Sequence, residues 1–273
     1  MDQAVMKHCK FGLIGHPIEH SLSPALFKAG YDGRYTYDLI PGEDFESSYH
    51  RFLDEYDGIN VTAPFKEQAF AKADIFSEEC RLCKSTNLLL KTSEGVKAYN
   101  SDFLGVRLWL QEVLDKTSSE TTLIVGTGGA GRAAAAAAAS LGMKVTLMNR
   151  NPERAARLAE DLTGAGFDAE ARPLDDFRTC FAEADIIIYN IPAPIPELTA
   201  LNKEDFTPGK AKFILEANYR DPSFDETLLA GMREANPLIQ YSSGRTWLLY
   251  QALTGYEIFT EEIPDLDKMS DVL

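Results

Sequence analysis

Thr121-Thr122-Leu123-Ile124-Val125-Gly126-Thr127-Gly128-Gly129-Ala130-Gly131-Arg132, running into the alanine series Ala133 to Ala139, is the stretch that decides the fold. Leu123 to Val125 reads as a short apolar strand, and a helix is expected from Arg132 to Leu141. Between them the glycines follow the spacing G-x-G-x-x-G at Gly126, Gly128 and Gly131. The first permits a tight turn, the second lets the backbone approach a pyrophosphate, and the third lets helix and strand pack closely. Free N–H groups and the dipole at the helix start then favour an anion. Gly126, Gly128, Gly129 and Ala130 are therefore candidate dinucleotide-binding residues, and the alanines read as close helix packing.

The next strand, Lys144 to Met148, bears on which dinucleotide is bound. A strand of this kind that serves NAD ends in Asp or Glu, which accepts the ribose hydroxyls. Here the chain continues Asn149-Arg150-Asn151-Pro152-Glu153-Arg154, with no carboxylate at the tip. Arg150 and Arg154 can bind a 2′-phosphate by charge-assisted hydrogen bonds, and Arg150 can also stack on adenine. This points to NADP. The competing reading is a pair of solvated arginines opening a helix, a placement the helix dipole disfavours without a ligand.

Outward from this unit, strand-like and helix-like stretches alternate along the whole chain, which means α/β. Upstream, strands are expected at Cys9 to Gly15, Tyr35 to Ile40, Gly58 to Thr62, Ser85 to Lys91 and Val96 to Asn100. Helices are expected at Pro24 to Gly30, Asp44 to Tyr56 and Phe65 to Ala73, with Pro64 at a first-turn position. Asp102 can cap a helix from Phe103 to Leu114, followed by a break at Thr117, Ser118 and Ser119. Downstream strands are expected at Asp185 to Ile191, Phe213 to Ala217 and Leu238 to Ser243. The helical stretch Arg245 to Phe259 lacks an evident partner in the nucleotide domain and should pack back on the first domain. This gives a substrate domain of residues 1–102 and 244–273, a nucleotide-binding domain of residues 103–243, and a cleft between them.

At 273 residues the chain has room for two cores. No apolar run approaches the roughly 20 residues of a membrane span, and Met1 to Lys10 carries no apolar leader core, so a cytoplasmic protein is expected. A net charge of −15 repels nucleic-acid backbones, so any anionic ligand must be held locally. The cysteines Cys9, Cys80, Cys83 and Cys180 are too few for a disulfide framework. Cys80 and Cys83 form a lone C-x-x-C without a second pair or nearby histidine, so no metal is expected.

The N-terminal half carries a polar constellation. Ser21 and Ser23 place two hydroxyls on the loop after the first strand. Asn60-Val61-Thr62-Ala63-Pro64-Phe65-Lys66 leaves a strand tip with an amide, a hydroxyl and an ammonium. Asn87 is expected on a strand, and Asn100-Ser101-Asp102 ends the domain. These groups, polar without being basic, suit a small ligand rich in hydroxyls.

With these residues the chain resembles the shikimate dehydrogenase family over nearly its whole length. Ser21 to Pro24 looks like the family's S-x-S-P loop, Asn60 to Lys66 like its N-V-T-x-P-x-K, and Asn100 to Asp102 like its N-T-D. Gly126 to Ala130 is similar to its G-A-G-G-A turn, Asn149 to Arg154 to its N-R-T with a following basic residue, and Gly244 and Gln251 to its late G and Q. The resemblance implies a Rossmann-type NADP-binding domain beside an α/β substrate domain. It implies reversible NADPH reduction of 3-dehydroshikimate to shikimate, in chorismate and aromatic amino-acid biosynthesis, by a monomer or homodimer. Lys66 and Asp102 would be the catalytic pair, with Lys66 the general acid in reduction. Ser21 and Ser23 would hold the substrate carboxylate, and Asn60, Thr62, Asn87, Asp102 and Gln251 would reach the ring hydroxyls. Tyr219 and Gly244 would lie near nicotinamide and substrate.

The chain departs from the family pattern in places. His16 stands for the usual Asn, Phe27-Lys28 for His-Asn, Ser101 for Thr, Leu88 for a Thr and Arg245 for an apolar residue. Asn190-Ile191-Pro192 replaces Asn-Ala-Thr on the nicotinamide side. Two alternatives stay open at this stage: a quinate/shikimate dehydrogenase of broader specificity, and a non-catalytic NADP(H)-binding regulator.

Overall fold

The computed structural model describes residues 9–114, 121–206 and 208–273. The break expected at Thr117 to Ser119, and most of the N-terminal stretch read for a leader, lie outside them. In chain order the elements are β1 (Lys10–Gly15), α1 (Ser23–Gly30), β2 (Thr36–Pro41), α2 (Phe45–Glu55), β3 (Gly58–Val61) and α3 (Lys66–Lys72). There follow β4 (Ile75–Phe76), α4 (Glu78–Cys83), β5 (Leu88–Thr92), β6 (Gly95–Tyr99) and α5 (Ser101–Leu114). The glycine turn lies between β7 (Thr121–Val125) and α6 (Gly129–Ser140), and is followed by β8 (Lys144–Met148), α7 (Pro152–Gly164), β9 (Ala169–Ala171), α8 (Phe177–Glu183), β10 (Ile186–Tyr189) and α9 (Pro196–Thr199). The chain closes with β11 (Lys212–Glu216), α10 (Glu226–Ala235), β12 (Ile239–Ser242), α11 (Gly244–Thr260) and α12 (Leu266–Ser270).

These elements form two compact units, one within Met1–Ser101 and Ala252–Leu273, the other Asp102–Gln251. The division falls at 101/102 and 251/252, where the sequence reading placed it at 102/103 and 243/244. The sheet of the second unit has the order β12-β11-β10-β7-β8-β9, all parallel, the doubly wound arrangement expected from the glycine turn. Its central strands β7 and β10 are apolar because helices cover both faces of such a sheet. The alanines Ala133 to Ala139 are all buried, since a side chain of one carbon lets α6 lie close to its neighbours. The helix starts three residues before the expected Arg132, with Gly128 as its cap.

The first sheet has the order β2-β1-β3-β5-β6-β4 and is mixed. Strands β1, β2 and β3 run parallel, whereas β5 is antiparallel to both β3 and β6. An aromatic cluster fills one region of this unit. Phe259 stacks on Phe11 at 4.8 Å and Tyr256 meets Phe27 edge-on at 4.7 Å, each pair contributing about 0.5–1.5 kcal/mol beyond its buried area. Phe27, one of the family departures, is thus a core residue, only 1% exposed. Residues 252–260 of α11 therefore return to the first unit as expected. The expectation that this helix lacks a partner in the nucleotide domain is corrected: Trp247 in its first half bonds to Asp102.

Three local readings also change. Pro64 precedes the cap residue Phe65, outside the first turn of α3. Asn87 sits on the bend one residue before β5, because the antiparallel ladder pairs Asn60 with Leu88. Asp102 lies inside the first turn of α5, which begins at Ser101, so it is not the cap. The C-x-x-C falls on α4, a helix the sequence reading passed over. Both thiols are buried and burial pushes that of Cys80 up to about 12, which suits packing rather than redox work. No helix among the described residues is long and apolar enough to cross a membrane.

Lys212 on β11 is fully buried, and its ammonium donates to the carbonyls of Phe181, Ala182 and Ala184 at the end of α8. It thereby satisfies carbonyls that a helix C-terminus leaves open. Burial, with Lys210 nearby, lowers its pKa to about 8. A lysine whose folded pKa is depressed is protonated more in the unfolded chain between the two values. Stability should therefore gain from this residue as pH rises from about 8 towards the unfolded value of about 10.4. Urea unfolding at pH 7, 8, 9 and 10 checks this: Lys212→Met should remove the upward contribution, and identical pH slopes would contradict it.

Candidate functional site

The loops at the carboxyl ends of β7, β8, β10 and β11 follow parallel strands of one sheet and so leave it on the same edge. In such a sheet ligands bind there, at the point where strand order reverses, here between β7 and β10. Gly126 opens the loop after β7 with φ +93°, a left-handed conformation that L side chains avoid. A Cβ on it would also come within 3.0 Å of Ile191 Cγ1, whereas one on Gly128 would meet nothing within 4 Å. The departure Asn190-Ile191-Pro192 thus packs Ile191 beneath the glycine turn. Two buried polar atoms at this point, Thr127 Oγ1 and Asn190 Oδ1, have no hydrogen-bond partner among the described residues. An unmet acceptor and hydroxyl beside an open glycine backbone fit the phosphates and amide of a dinucleotide.

Gly126→Ala is expected to weaken NADP binding by about tenfold or more, since holding alanine at this φ costs of the order of 1–3 kcal/mol. Fluorescence titration measures this, and a dissociation constant equal to that of the unaltered protein would refute it.

Asn149 follows β8 and its Nδ2 donates to the Asn151 carbonyl at 3.0 Å. Asn151 caps α7, accepting from the amides of Glu153 and Arg154, so Arg154 is fixed in the first turn. Arg150 and Arg154 are exposed and neither guanidinium forms an ion pair among the described residues. Their neighbours do otherwise: Arg157 pairs with Glu153 at 3.7 Å and Arg132 with Asp161 at 3.6 Å. Two exposed guanidiniums without an ion pair beside a helix start are open to an anionic ligand, the arrangement a 2′-phosphate would use.

Also in the second unit, Asp102 is buried and its Oδ1 accepts from Trp247 Nε1 at 3.0 Å. One turn along α5, a Cβ on Gly105 would lie 2.6 Å from the backbone nitrogen of Gln251, itself one turn beyond Trp247. The structure therefore sets Gly105 against Gln251 where two helices cross closely, with Asp102 one turn before Gly105 on α5. Tyr219 lies on the loop after β11, half-buried, and burial raises its phenol pKa. Gly244 starts α11 so close to this loop that a Cβ would overlap Asn218.

The first unit gathers the other polar residues into two groups. Ser21 Oγ donates to Ser23 Oγ at 3.1 Å, and the carbonyl of buried Ser23 accepts from Tyr256 Oη at 3.0 Å. In the second group Asn60 Oδ1 accepts from Tyr37 Oη at 2.7 Å and its Nδ2 donates to the Asn87 carbonyl at 3.4 Å. Asn87 in turn exchanges bonds with Ser101, accepting its amide at 2.7 Å and donating to its hydroxyl at 3.0 Å. Thr62 follows β3 and its amide bonds to the Ile14 carbonyl at 2.9 Å; Lys66 begins α3 one turn later. The expected catalytic pair is divided, Lys66 in the first unit and Asp102 in the second.

Sequence reasoning passed over Tyr37, Thr127 and Trp247 as contributors. Trp247 carried no signal, because its partner lies 145 residues away. Thr127 could have been found, as a hydroxyl in the variable position of a phosphate loop.

Residues 13–89 match the substrate-binding domain of shikimate dehydrogenase, and residues 109–215 match shikimate/quinate 5-dehydrogenase. The chain belongs to the shikimate dehydrogenase family. Among relatives of this family, a shikimate dehydrogenase (NADP(+)) of Acinetobacter baumannii is 33% identical, covering 94% of this chain and 97% of its own. The shikimate 5-dehydrogenase of Thermus thermophilus, solved with NADP(H) and shikimate, is 25% identical with a TM-score of 0.78, covering 97% of this chain and 98% of its own. A quinate dehydrogenase of Corynebacterium glutamicum, solved with NAD, shares the fold at a TM-score of 0.81 and 22% identity, covering 97% and 98%. The Rossmann-type and substrate units expected from the motifs are those of the family.

Proposed function

We infer that this protein catalyses the reversible, NADPH-dependent reduction of 3-dehydroshikimate to shikimate, a step of chorismate and aromatic amino-acid biosynthesis, in the cytoplasm. The observation that carries this is identity of 33% across 94% of the chain to an NADP-dependent shikimate dehydrogenase. Lys66, Asp102, Arg150 and Arg154 support it as the residues the chemistry needs. Gly126, Gly128, Gly129, Ala130 and Gly244 would receive the cofactor backbone and nicotinamide side, and Asn149, Arg150 and Arg154 the adenosine 2′-phosphate.

Bound NADPH supplies the hydride to the ring carbon. Lys66 gives a proton to the carbonyl oxygen in reduction and removes it in oxidation, so the charge that develops on oxygen is quenched as it forms. Asp102, with one carboxylate oxygen held by Trp247, orients the reacting oxygen. The hydroxyls of Ser21 and Ser23 hold the substrate carboxylate without adding a charge. Asn60, Thr62, Asn87 and Gln251 read the ring hydroxyls, with Asn60 kept in one amide orientation by the Tyr37 hydroxyl. Tyr219 borders the substrate.

Absorbance of NADPH, followed with shikimate or quinate and with NADP or NAD, tests the inference. Turnover is expected with shikimate and NADP. Equal kcat/KM for quinate would reassign the substrate range, and absence of turnover at every pH would leave an NADP(H)-binding protein without this activity.

A further inference from the structure

We propose that Glu216 is a positioning residue: its buried carboxylate holds the loop Ala217–Ser223, and with it Tyr219, in the place the reaction uses. This rests on the reading above that Tyr219 borders the substrate. Glu216 is the last residue of β11 and is fully buried. Its Oε1 accepts from the Ser223 amide at 2.6 Å, and its Oε2 from Tyr241 Oη at 2.7 Å and the Phe224 amide at 3.5 Å. One carboxylate thus ties the far end of the loop back to the strand from which the loop departs. Tyr241, on β12, braces it from the neighbouring strand.

No lysine or arginine pairs with this carboxylate among the described residues. A buried carboxylate without a cation is costly, and its only return here is the set of backbone and phenol donors it engages. The rest of the loop is anchored through Asn218. Its Nδ2 donates to the Asp221 carbonyl at 2.6 Å and the Pro192 carbonyl at 3.3 Å, and its Oδ1 accepts from the Arg220 amide at 3.1 Å. The loop therefore also bonds to Pro192, the end of the stretch that packs beneath the glycine turn. The phenol of Tyr219, by contrast, makes no hydrogen bond among the described residues, so its location is inherited from the backbone that carries it. Moving the loop base would shift Tyr219 against only the Asn218 bonds and its own partial burial.

The test compares Glu216→Gln, Glu216→Ala and Tyr241→Phe in the full chain, alone and combined with Tyr219→Phe. Hydrogen exchange of the Ser223 and Phe224 amides should accelerate by about tenfold or more in Glu216→Ala and less in Glu216→Gln, which keeps one acceptor. kcat/KM for shikimate should fall by about tenfold in Glu216→Gln while NADP affinity and Tm stay near those of the unaltered protein. In the Tyr219→Phe background the same change should have little further effect. A purely structural role would lower Tm and speed exchange without altering kcat or KM, and would overturn the proposal, as would additive losses in the double variant. Unchanged exchange in both Glu216 variants overturns it whatever the substrate. If the unaltered protein shows no turnover yet the variants lose protection, the assigned activity fails while the carboxylate's hold on the loop stands.

Discussion

Lys66→Ala should lower kcat for shikimate oxidation by about two to four orders of magnitude while leaving NADP affinity near that of the unaltered protein. General acid–base catalysis by a positioned side chain is worth about this much, and the lysine is the proton carrier assigned to the carbonyl oxygen. Its place explains why cofactor binding should be spared: Lys66 begins α3 in the first unit, whereas Gly126, Arg150 and Arg154 lie in the second. The measurement is steady-state kinetics with shikimate varied, paired with an NADP titration. Lys66→Arg separates charge from proton transfer, because guanidinium keeps the positive charge but does not release a proton at working pH. A kcat for Lys66→Ala within a few-fold of the unaltered protein would remove the lysine from the mechanism.

The second large effect is expected from Arg150→Ala with Arg154→Ala. Each charge-assisted hydrogen bond to a phosphate contributes about 1.5–3 kcal/mol, so the double variant should bind NADP roughly a hundredfold or more weakly. NAD, which lacks the 2′-phosphate, should lose far less than NADP, no more than the stacking of Arg150 on adenine contributes. The loss for NADP should shrink as salt is added, because both guanidiniums are exposed and screened. Equal weakening of NAD and NADP would show that the arginines organise the loop rather than read the phosphate. Little cost in Tm is expected, since neither guanidinium holds an ion pair among the described residues.

The features legible in the sequence are those made of contiguous residues. The glycine turn, the alanine helix and the Asn149–Arg154 tip announce themselves within some thirty residues because a phosphate site at a helix start is a local object. Ser21 with Ser23, and Asn60 with Lys66, are legible for the same reason. What was hidden is non-local. Whether Asn87 lies on β5 or on the bend before it depends on the register against β3, which no window around Asn87 contains. Asp102 looks like a helix cap because capping residues are acidic or polar; only its bond to Trp247 shows it serving as a buried acceptor instead. Glu216 left a faint trace, a carboxylate ending the apolar run Phe213 to Leu215, whose meaning depended on how the chain returns at Ser223. Helix α4 was missed because it is a single short turn and a half whose pattern was spent on the cysteine spacing.

The first unit is assembled from two stretches of the chain that the second unit separates. Phe11 and Phe27 precede the second unit in the chain, but the rings they pack against, Tyr256 and Phe259, follow it. During synthesis the stretch before Asp102 thus lacks part of its core until the whole second unit has been produced. That unit is continuous in sequence and can close as soon as it emerges. The segment after Gln251 therefore acts as the fastening of a unit begun before the second one. Removal of the segment after Gln251 would take Tyr256 and Phe259 from the aromatic cluster while leaving the residues of the second unit in place.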